Sequence, residues 1–409
     1  MIRNIVNTMI TQGSVALINL GILLLSTRYL GSEVVGQVSM LIVSMAIIQS
    51  VNDIYTGPAT IYHMSGRSIR TIYLQGIVWT LLCTGVLNYV FIEWGFIHES
   101  LRTPLLTLSF LSIFHYFHVV LLLGREKIRL YNMLNLLQPA MMAMLLAVQI
   151  FVFERRGFAV SLIALYISWI IALSVSVFCV LMLIRTDNSS EQPRFLAVMR
   201  TGFINEMGNL AHMLSNRYNY FVLGSVTLVG VYSSSSSLIE KVWIIGGSIS
   251  PIILTRIANR QKEADNAHVT LSLAKLSFIL SLLCAAVVYF LPDAFFTSLL
   301  GSDFAEVRSL MLYLAPGVLC ISFSTIISHY FSGLGKQKVL LMANLAGLGV
   351  TLMLSYPLIH RYGMHGAALT ATASYATQSL VLVLLFWKTN SLKAADIISF
   401  RIPAPQVQD

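Results

Sequence analysis

Charge is what this sequence has little of. Only 11% of its 409 residues are Asp, Glu, Lys or Arg, while 56% are hydrophobic. A soluble domain carries about 25% charged residues. A water-soluble fold of this length has too little polar side chain to cover itself, which excludes soluble enzymes. The net charge of +9 does not mark a nucleic-acid binder, because the cations sit in short clusters between long apolar runs. Cysteine is scarce as well. Cys83, Cys179, Cys284 and Cys320 lie inside apolar runs without CxxC or Cys/His spacing, so the sequence supports neither a disulfide framework nor a zinc site. Long polar connections are also missing. The largest, 55–71 and 185–200, leave no room for a folded catalytic domain outside the apolar runs.

What is present is a series of apolar runs. A hydrocarbon core ~30 Å thick needs about 20 apolar residues per helix. Twelve spans are predicted, at 9–30, 35–55, 72–92, 104–124, 131–153, 158–184, 201–225, 229–255, 269–292, 307–332, 338–360 and 363–387. The first lacks a small-residue cleavage site and leads straight into the second, so it reads as a retained helix rather than a signal peptide. With the N-terminus in the cytoplasm, 17 of the 26 Lys and Arg fall on the cytoplasmic side, and 6 (Arg28, Arg102, Arg155, Arg156, Arg308, Arg361) on the other. Both termini are therefore expected to be cytoplasmic. The tail from Thr389 to Asp409 contains proline and is expected to be mobile.

The two halves echo each other. Leu30-Gly31-Ser32 with Gly36 returns as Leu223-Gly224-Ser225 with Gly230, and Gly57-Pro58 matches Ser250-Pro251. Leu123-Gly124-Arg125-Glu126-Lys127 matches Leu334-Gly335-Lys336-Gln337-Lys338, and Arg155-Arg156-Gly157 matches Arg361-Tyr362-Gly363. Six spans per half is an even number, so both halves enter the membrane in the same sense, the parallel-repeat plan of many transporters. The expected organisation is an N-terminal six-helix lobe at 1–184, a cytoplasmic linker at 185–200, a second six-helix lobe at 201–388 and a tail at 389–409. The two prolines, Pro58 and Pro251, are most simply read as kinks.

An ionisable group inside a bilayer costs at least ~2.5 kcal/mol unless it faces protein or water, so each is a functional candidate. Span 7 presents Asn205, Glu206, Asn209, His212, Asn216, Arg217, Asn219 and Tyr220 at offsets of 3 and 4, which place them on one broad face. Span 8 offers Ser233, Ser237, Glu240, Gly247 and Pro251. At ~1.5 Å rise per residue, Glu240 falls about 16 Å from the outer end of span 8 and Arg217 about 24 Å from the inner end of span 7. A contact between them would be tilted, and His212 lies closer to Glu240 in height. Lys241 follows Glu240 and can snorkel or join the same network. Span 1 adds Thr8, Gln12, Asn19 and Ser26 with Arg28 at its end, and span 2 adds Gln37, Ser44, Gln49, Asn52 and Asp53. Amides and hydroxyls of this kind also serve simply to glue helices together. His115 and His118 in span 4 have no acidic partner and read as packing or interfacial residues. Matching polar faces on four helices point to an aqueous cleft between the halves.

The stretch Arg28-Tyr29-Leu30-Gly31-Ser32-Glu33-Val34-Val35-Gly36, the segment Gly224 to Tyr232, Leu334-Gly335-Lys336-Gln337-Lys338, and Pro357-Leu358-Ile359 running to Gly366-Ala367-Ala368 together resemble polysaccharide flippases of the Wzx type. These belong to the multidrug/oligosaccharidyl-lipid/polysaccharide exporter superfamily. The inserted His360-Arg361 and the missing proline after Ile359 depart from that family's pattern. The resemblance implies an all-α integral membrane protein of twelve transmembrane helices in two parallel-repeat lobes, with helices 1, 2, 7 and 8 lining the cavity. It implies an undecaprenyl-diphosphate-linked oligosaccharide as cargo, moved to the periplasmic leaflet by alternating access for O-antigen or capsule synthesis. It also implies membrane lipids as surroundings, polymerase or chain-length proteins as candidate partners, and neither a cofactor nor a nucleic acid. Arg217, Lys241 and Arg28 are suited to the diphosphate, and Asn209, Asn216, Asn219, Tyr220 and Gln12 to sugar hydroxyls. Glu206, Glu240 and Asp53 are candidates for proton or Na⁺ coupling. The rival readings are a cation-coupled drug or metabolite antiporter of the same superfamily and, more remotely, a membrane-embedded polysaccharide polymerase or ligase.

Overall fold

A computed structural model describes residues 2–64, 67–187, 189, 191–192, 194–242 and 263–390, with side chains for all of these but 2–6 and 263–265. Among the described residues helix is the sole extended regular structure. In chain order the α-helices are α1 (Ile2–Thr56), α2 (Pro58–His63), α3 (Ile69–Glu93), α4 (Arg102–Gly124), α5 (Ile128–Phe151), α6 (Phe158–Arg185), α7 (Phe195–Arg217), α8 (Asn219–Val222), α9 (Val226–Ile239), α10 (Glu263–Phe290), α11 (Asp293–Leu300), α12 (Val307–Gly333) and α13 (Gln337–Asn390). Short 3₁₀ turns occupy Glu99–Leu101, Glu240–Val242 and Ser302–Phe304.

Eight stretches among the described residues are long and apolar enough to cross a membrane. Two of them are double. Spans 1 and 2 run together as α1, broken at Gly31 (φ 85°, ψ 173°), and spans 11 and 12 run together as α13, broken at Gly363 (φ 57°, ψ −130°). An L side chain is strained at such φ values, so a single glycine does the work of a loop. Span 7 is α7 with α8. Its amides and charges keep it out of the apolar set. Span 8 begins as α9. The chain is an all-α, twelve-span membrane protein. The repeat seen in the sequence has a backbone counterpart: Gly31 and its match Gly224 both have positive φ, as do Gly157 and its match Gly363.

Pro58 does not kink a helix. α1 ends at Thr56, Gly57 is extended, and Pro58 opens the separate helix α2 at its first turn, where a missing N–H costs nothing. Gly247, Ser250, Pro251, Arg256, Arg260 and Lys262 lie outside the described residues, as do Lys393, Arg401 and most of the tail.

The chain forms two compact units: Met1–Leu210 with Ser225–Val231 and Thr297–Phe304, and Ala211–Gly224 with Tyr232–Phe296 and Ala305–Asp409. The first has its core where Met64, Ile69, Phe117, Leu121, Leu134 and Val180 meet, and the second where Leu271, Ile326, Tyr330, Phe331 and Phe386 meet. Lipid is as apolar as leucine, so helices in a bilayer associate through close packing rather than through expulsion of water. Small residues make that possible. Gly76 leaves the space that the Phe117 ring fills, and Gly202 leaves room for the backbone of Ile54.

In the first unit the two copies of the repeated motif meet reciprocally. A Cβ on Gly36 would strike the carbonyl of Val226, and a Cβ on Gly230 would strike the carbonyl of Ser32. Asp303 seals the same turn by accepting from the Ser32 N–H at 3.2 Å and the Ser32 hydroxyl at 3.1 Å. The segment after α6 is tied to the same unit. Asp187 accepts from Arg125 at 2.9 Å and from the backbone N–H of Ile69 at 2.8 Å, and Glu191 pairs with Arg67 at 3.3 Å.

Candidate functional site

The polar residues of α7 divide between two clusters. In the first unit, Gly202 brings α7 against the backbone of α1 at Ile54. One turn further on, Glu206 is buried (4% exposed) and lies within electrostatic reach of Asp53. Asp53 accepts from the Gln49 amide at 2.6 Å and the Thr56 hydroxyl at 3.5 Å. Glu206 accepts from the exposed Asn209 amide at 3.1 Å through Oε2, while its Oε1, among the described residues, has no hydrogen-bond partner. Two carboxylates in one apolar setting repel each other unless a proton or cation is shared between them.

In the second unit, Arg217 closes α7. A cation at a helix C-terminus meets the negative end of the helix dipole. Glu240 sits where α9 gives way to a 3₁₀ turn. Arg217 grips Glu240 with both nitrogens of its fork, Nη2 to Oε2 at 2.6 Å and Nη1 to Oε1 at 3.0 Å. The Tyr220 hydroxyl accepts from Nη1 at 3.0 Å, and Tyr375 donates to Glu240 Oε1 at 3.4 Å. The side chains are 24% and 12% exposed, so the pair is largely withdrawn from solvent. The tilted contact is thus the one that forms, and Glu240 does not turn to His212.

His212 instead joins a relay from α13. The Ser374 hydroxyl donates to the Gly347 carbonyl and accepts from Gln378 Nε2 at 3.3 Å, which presents Gln378 Oε1 to His212 Nδ1 at 3.0 Å. Nδ1 then carries the proton, so Nε2 accepts from Asn216 Nδ2 at 3.2 Å. Asn216 is 7% exposed, and among the described residues its Oδ1 has no partner. Asn219 is used differently. Its Nδ2 donates to the Ala367 carbonyl at 3.0 Å and its Oδ1 accepts from Ser355 at 2.7 Å, so both ends of the amide tie helices together.

Of the remaining sequence candidates, Gln12, Arg28 and Lys241 are exposed. His118 is buried between Ser176 at 2.9 Å and Tyr73 at 3.3 Å, and His115 stands edge-on to Trp169, both as packing residues do. Sequence reading missed Tyr375 and Gln378. The available signal was Thr370, Ser374 and Gln378 at spacing four in span 12, a polar stripe parallel to that of span 7.

Comparison with known proteins fits this architecture. Residues 229–357 match the MatE family model. The capsular polysaccharide biosynthesis protein CapF of Staphylococcus aureus is 26% identical over 187 residues, covering 44% of this chain and 46% of CapF, so the shared stretch is less than half of either protein. Among solved structures, an inward-facing multidrug resistance MATE family transporter superposes over 92% of this chain and 94% of its own, with TM-score 0.69 and 14% identity. The lipid II flippase MurJ, in an inward closed conformation, superposes over 97% of this chain and 89% of its own, with TM-score 0.71 and 15% identity. The fold is therefore the one shared by MATE transporters and MurJ, that of multi-pass membrane transporters.

Proposed function

We propose that this protein is a flippase. It moves an undecaprenyl-diphosphate-linked oligosaccharide from the cytoplasmic to the periplasmic leaflet by alternating access, in the assembly of an envelope polysaccharide such as O-antigen or capsule. The observation that carries this reading is the Arg217–Glu240 clamp beside the orphaned acceptor of Asn216. A guanidinium fork that fits a carboxylate bidentately also fits a phosphate. Cargo diphosphate displaces Glu240 from Arg217. Asn216 Oδ1 accepts from a sugar hydroxyl, with Asn209, Gln12, Arg28 and Lys241 as further polar contacts. Tyr220 and Asn219 hold the break between α7 and α8 in shape. Asp53 and Glu206 form the second charged cluster and take up the coupling proton or Na⁺. The similarity to CapF and the fold shared with MurJ support a lipid-linked saccharide as cargo.

The nearest alternative is a cation-coupled drug or metabolite antiporter, favoured by the MatE match and the fold of the multidrug transporter. Such a protein is expected to prefer a more apolar, aromatic-lined cavity than the amides of α7 provide. Deletion of the gene tests the choice. A flippase-null cell accumulates lipid-linked repeat units in the inner leaflet with unchanged drug tolerance. An antiporter-null cell shows drug sensitivity and normal repeat-unit turnover.

A further inference from the structure

A cavity of about 280 Å³ opens between the start of α1 and the first turn of α5, lined by Asn7, Ile10, Thr11, Ile128, Arg129 and Asn132. It belongs to neither polar cluster described above. The Lys/Arg pattern assigns this end of both helices to the cytoplasmic side. The donors and acceptors around it are unevenly matched. Arg129 is exposed and, among the described residues, has no ion-pair partner. α5 starts on Lys127, whose side chain caps nothing, so the positive end of a 24-residue helix lies beside that guanidinium. Asn132 is 8% exposed. Its Nδ2 donates to Thr8 at 3.1 Å, but among the described residues its Oδ1 has no partner. An acceptor left in that state in a buried setting costs about 1–3 kcal/mol unless a donor reaches it.

We propose that this cavity holds the headgroup of a phospholipid of the inner leaflet, one that carries a hydrogen-bond donor beside its phosphate. The phosphate takes Arg129 and the amide end of α5. The headgroup's N–H or O–H takes Asn132 Oδ1. Size agrees: sites for drug-sized molecules run to about 300–1,000 Å³, so this cavity suits a headgroup and not an oligosaccharide. The surface beside it agrees as well. Ile10 (62% exposed) lines the cavity, and Leu17 (71% exposed), two turns on, extends the same apolar face. Gln12 and Asn19 lie on the opposite side of the helix. An acyl chain descending from the cavity therefore runs along Ile10 and Leu17. This site is independent of the cargo reading, because it needs no translocation.

Native mass spectrometry of the full-length protein, delipidated and then titrated with phosphatidylethanolamine, phosphatidylglycerol, phosphatidylcholine or inorganic phosphate, tests the proposal. The expected result is one retained ethanolamine or glycerol lipid per chain, with phosphatidylcholine, which has no N–H or O–H donor, held about tenfold more weakly. Arg129→Gln lowers retention of all three lipids. Asn132→Leu removes the preference over phosphatidylcholine while phosphate-dependent retention persists. Equal retention of the three lipids by the native protein, unchanged retention in Arg129→Gln, or full displacement of lipid by millimolar inorganic phosphate would each overturn it, the last by showing a free-phosphate site. The lipid comparison on the native protein decides the matter even where Asn132→Leu folds poorly.

Discussion

Arg217 and Glu240 hold each other through two parallel hydrogen bonds, 2.6 and 3.0 Å long, at the points where their two helices stop being α-helical. A helix break frees backbone groups and lets a side chain turn, which is where a membrane protein tolerates a change of partner. A bidentate pair withdrawn from water is stable while both partners are present and costly once one is lost.

The pair therefore separates structure from transport. Arg217→Ala or Glu240→Ala leaves one charge without its partner, and each is expected to destabilise the protein by about 2–4 kcal/mol. The combined replacement Arg217→Met with Glu240→Leu is expected to fall within about 1 kcal/mol of the native protein, because neither charge remains. Thermal unfolding in detergent reads the stability. Transport should be absent in all three, including the double variant that folds normally. Arg217→Lys keeps the charge without the planar fork, and is expected to retain stability better than transport.

The reciprocal glycines make a second prediction. Gly230→Ala and Gly36→Ala place a methyl group against a backbone carbonyl that cannot yield as a side chain would. Each should cost about 1–3 kcal/mol. Gly85 and Gly349 lie within helices with open space where a Cβ would stand. Gly85→Ala and Gly349→Ala should be neutral or stabilising by up to about 1 kcal/mol, since alanine favours helix. The same unfolding assay checks all four, and the opposite signs exclude a general effect of substitution.

Two asparagines on the same face of span 7 should behave oppositely. Asn219→Leu removes both hydrogen bonds that tie α8 to α13, leaving the Ser355 hydroxyl on the Thr351 carbonyl and the Ala367 carbonyl with the Tyr232 hydroxyl, so the expected effect is on stability, about 1–3 kcal/mol for the two buried bonds lost. Asn209 is exposed and, among the described residues, its side chain bonds only Glu206. Asn209→Ala should leave the unfolding temperature nearly unchanged while slowing transport, measured as the rate per correctly inserted molecule.

Ion coupling is the fourth expectation. If Asp53 and Glu206 hold the coupling ion, Asp53→Asn and Glu206→Gln should flatten the response of transport to an imposed pH or Na⁺ gradient, with cargo binding preserved. Vesicles with defined gradients measure it. Unaltered gradient dependence in both variants removes coupling from this cluster.

Much of this architecture was legible in the sequence because bilayer physics is strict. A run of about 20 apolar residues has few other fates, so most of the spans emerge from composition, span 7 with its amides and charges being the exception. The internal repeat was equally plain, since its glycines are backbone requirements, as Gly31 and Gly224 show by their positive φ. Partner choice was not legible. Helical height placed His212 nearer to Glu240, but side-chain reach and the break after Arg217 decided for Arg217. Gln378 took His212 from a helix more than 160 residues away, and no local pattern on span 7 encodes that meeting. Pro58 read as a kink because proline ends or bends helices alike, and only the extended Gly57 distinguishes a restart.

The most direct test is translocation by the purified protein. Vesicles are loaded with undecaprenyl-diphosphate oligosaccharide in both leaflets, and a membrane-impermeant reagent added outside reads how much becomes accessible over time. The account predicts that the protected inner-leaflet pool drains with native protein and stays protected with the well-folded Arg217→Met/Glu240→Leu variant. A pool that stays protected with native protein, while a cationic drug moves down an imposed proton gradient in the same vesicles, would contradict it.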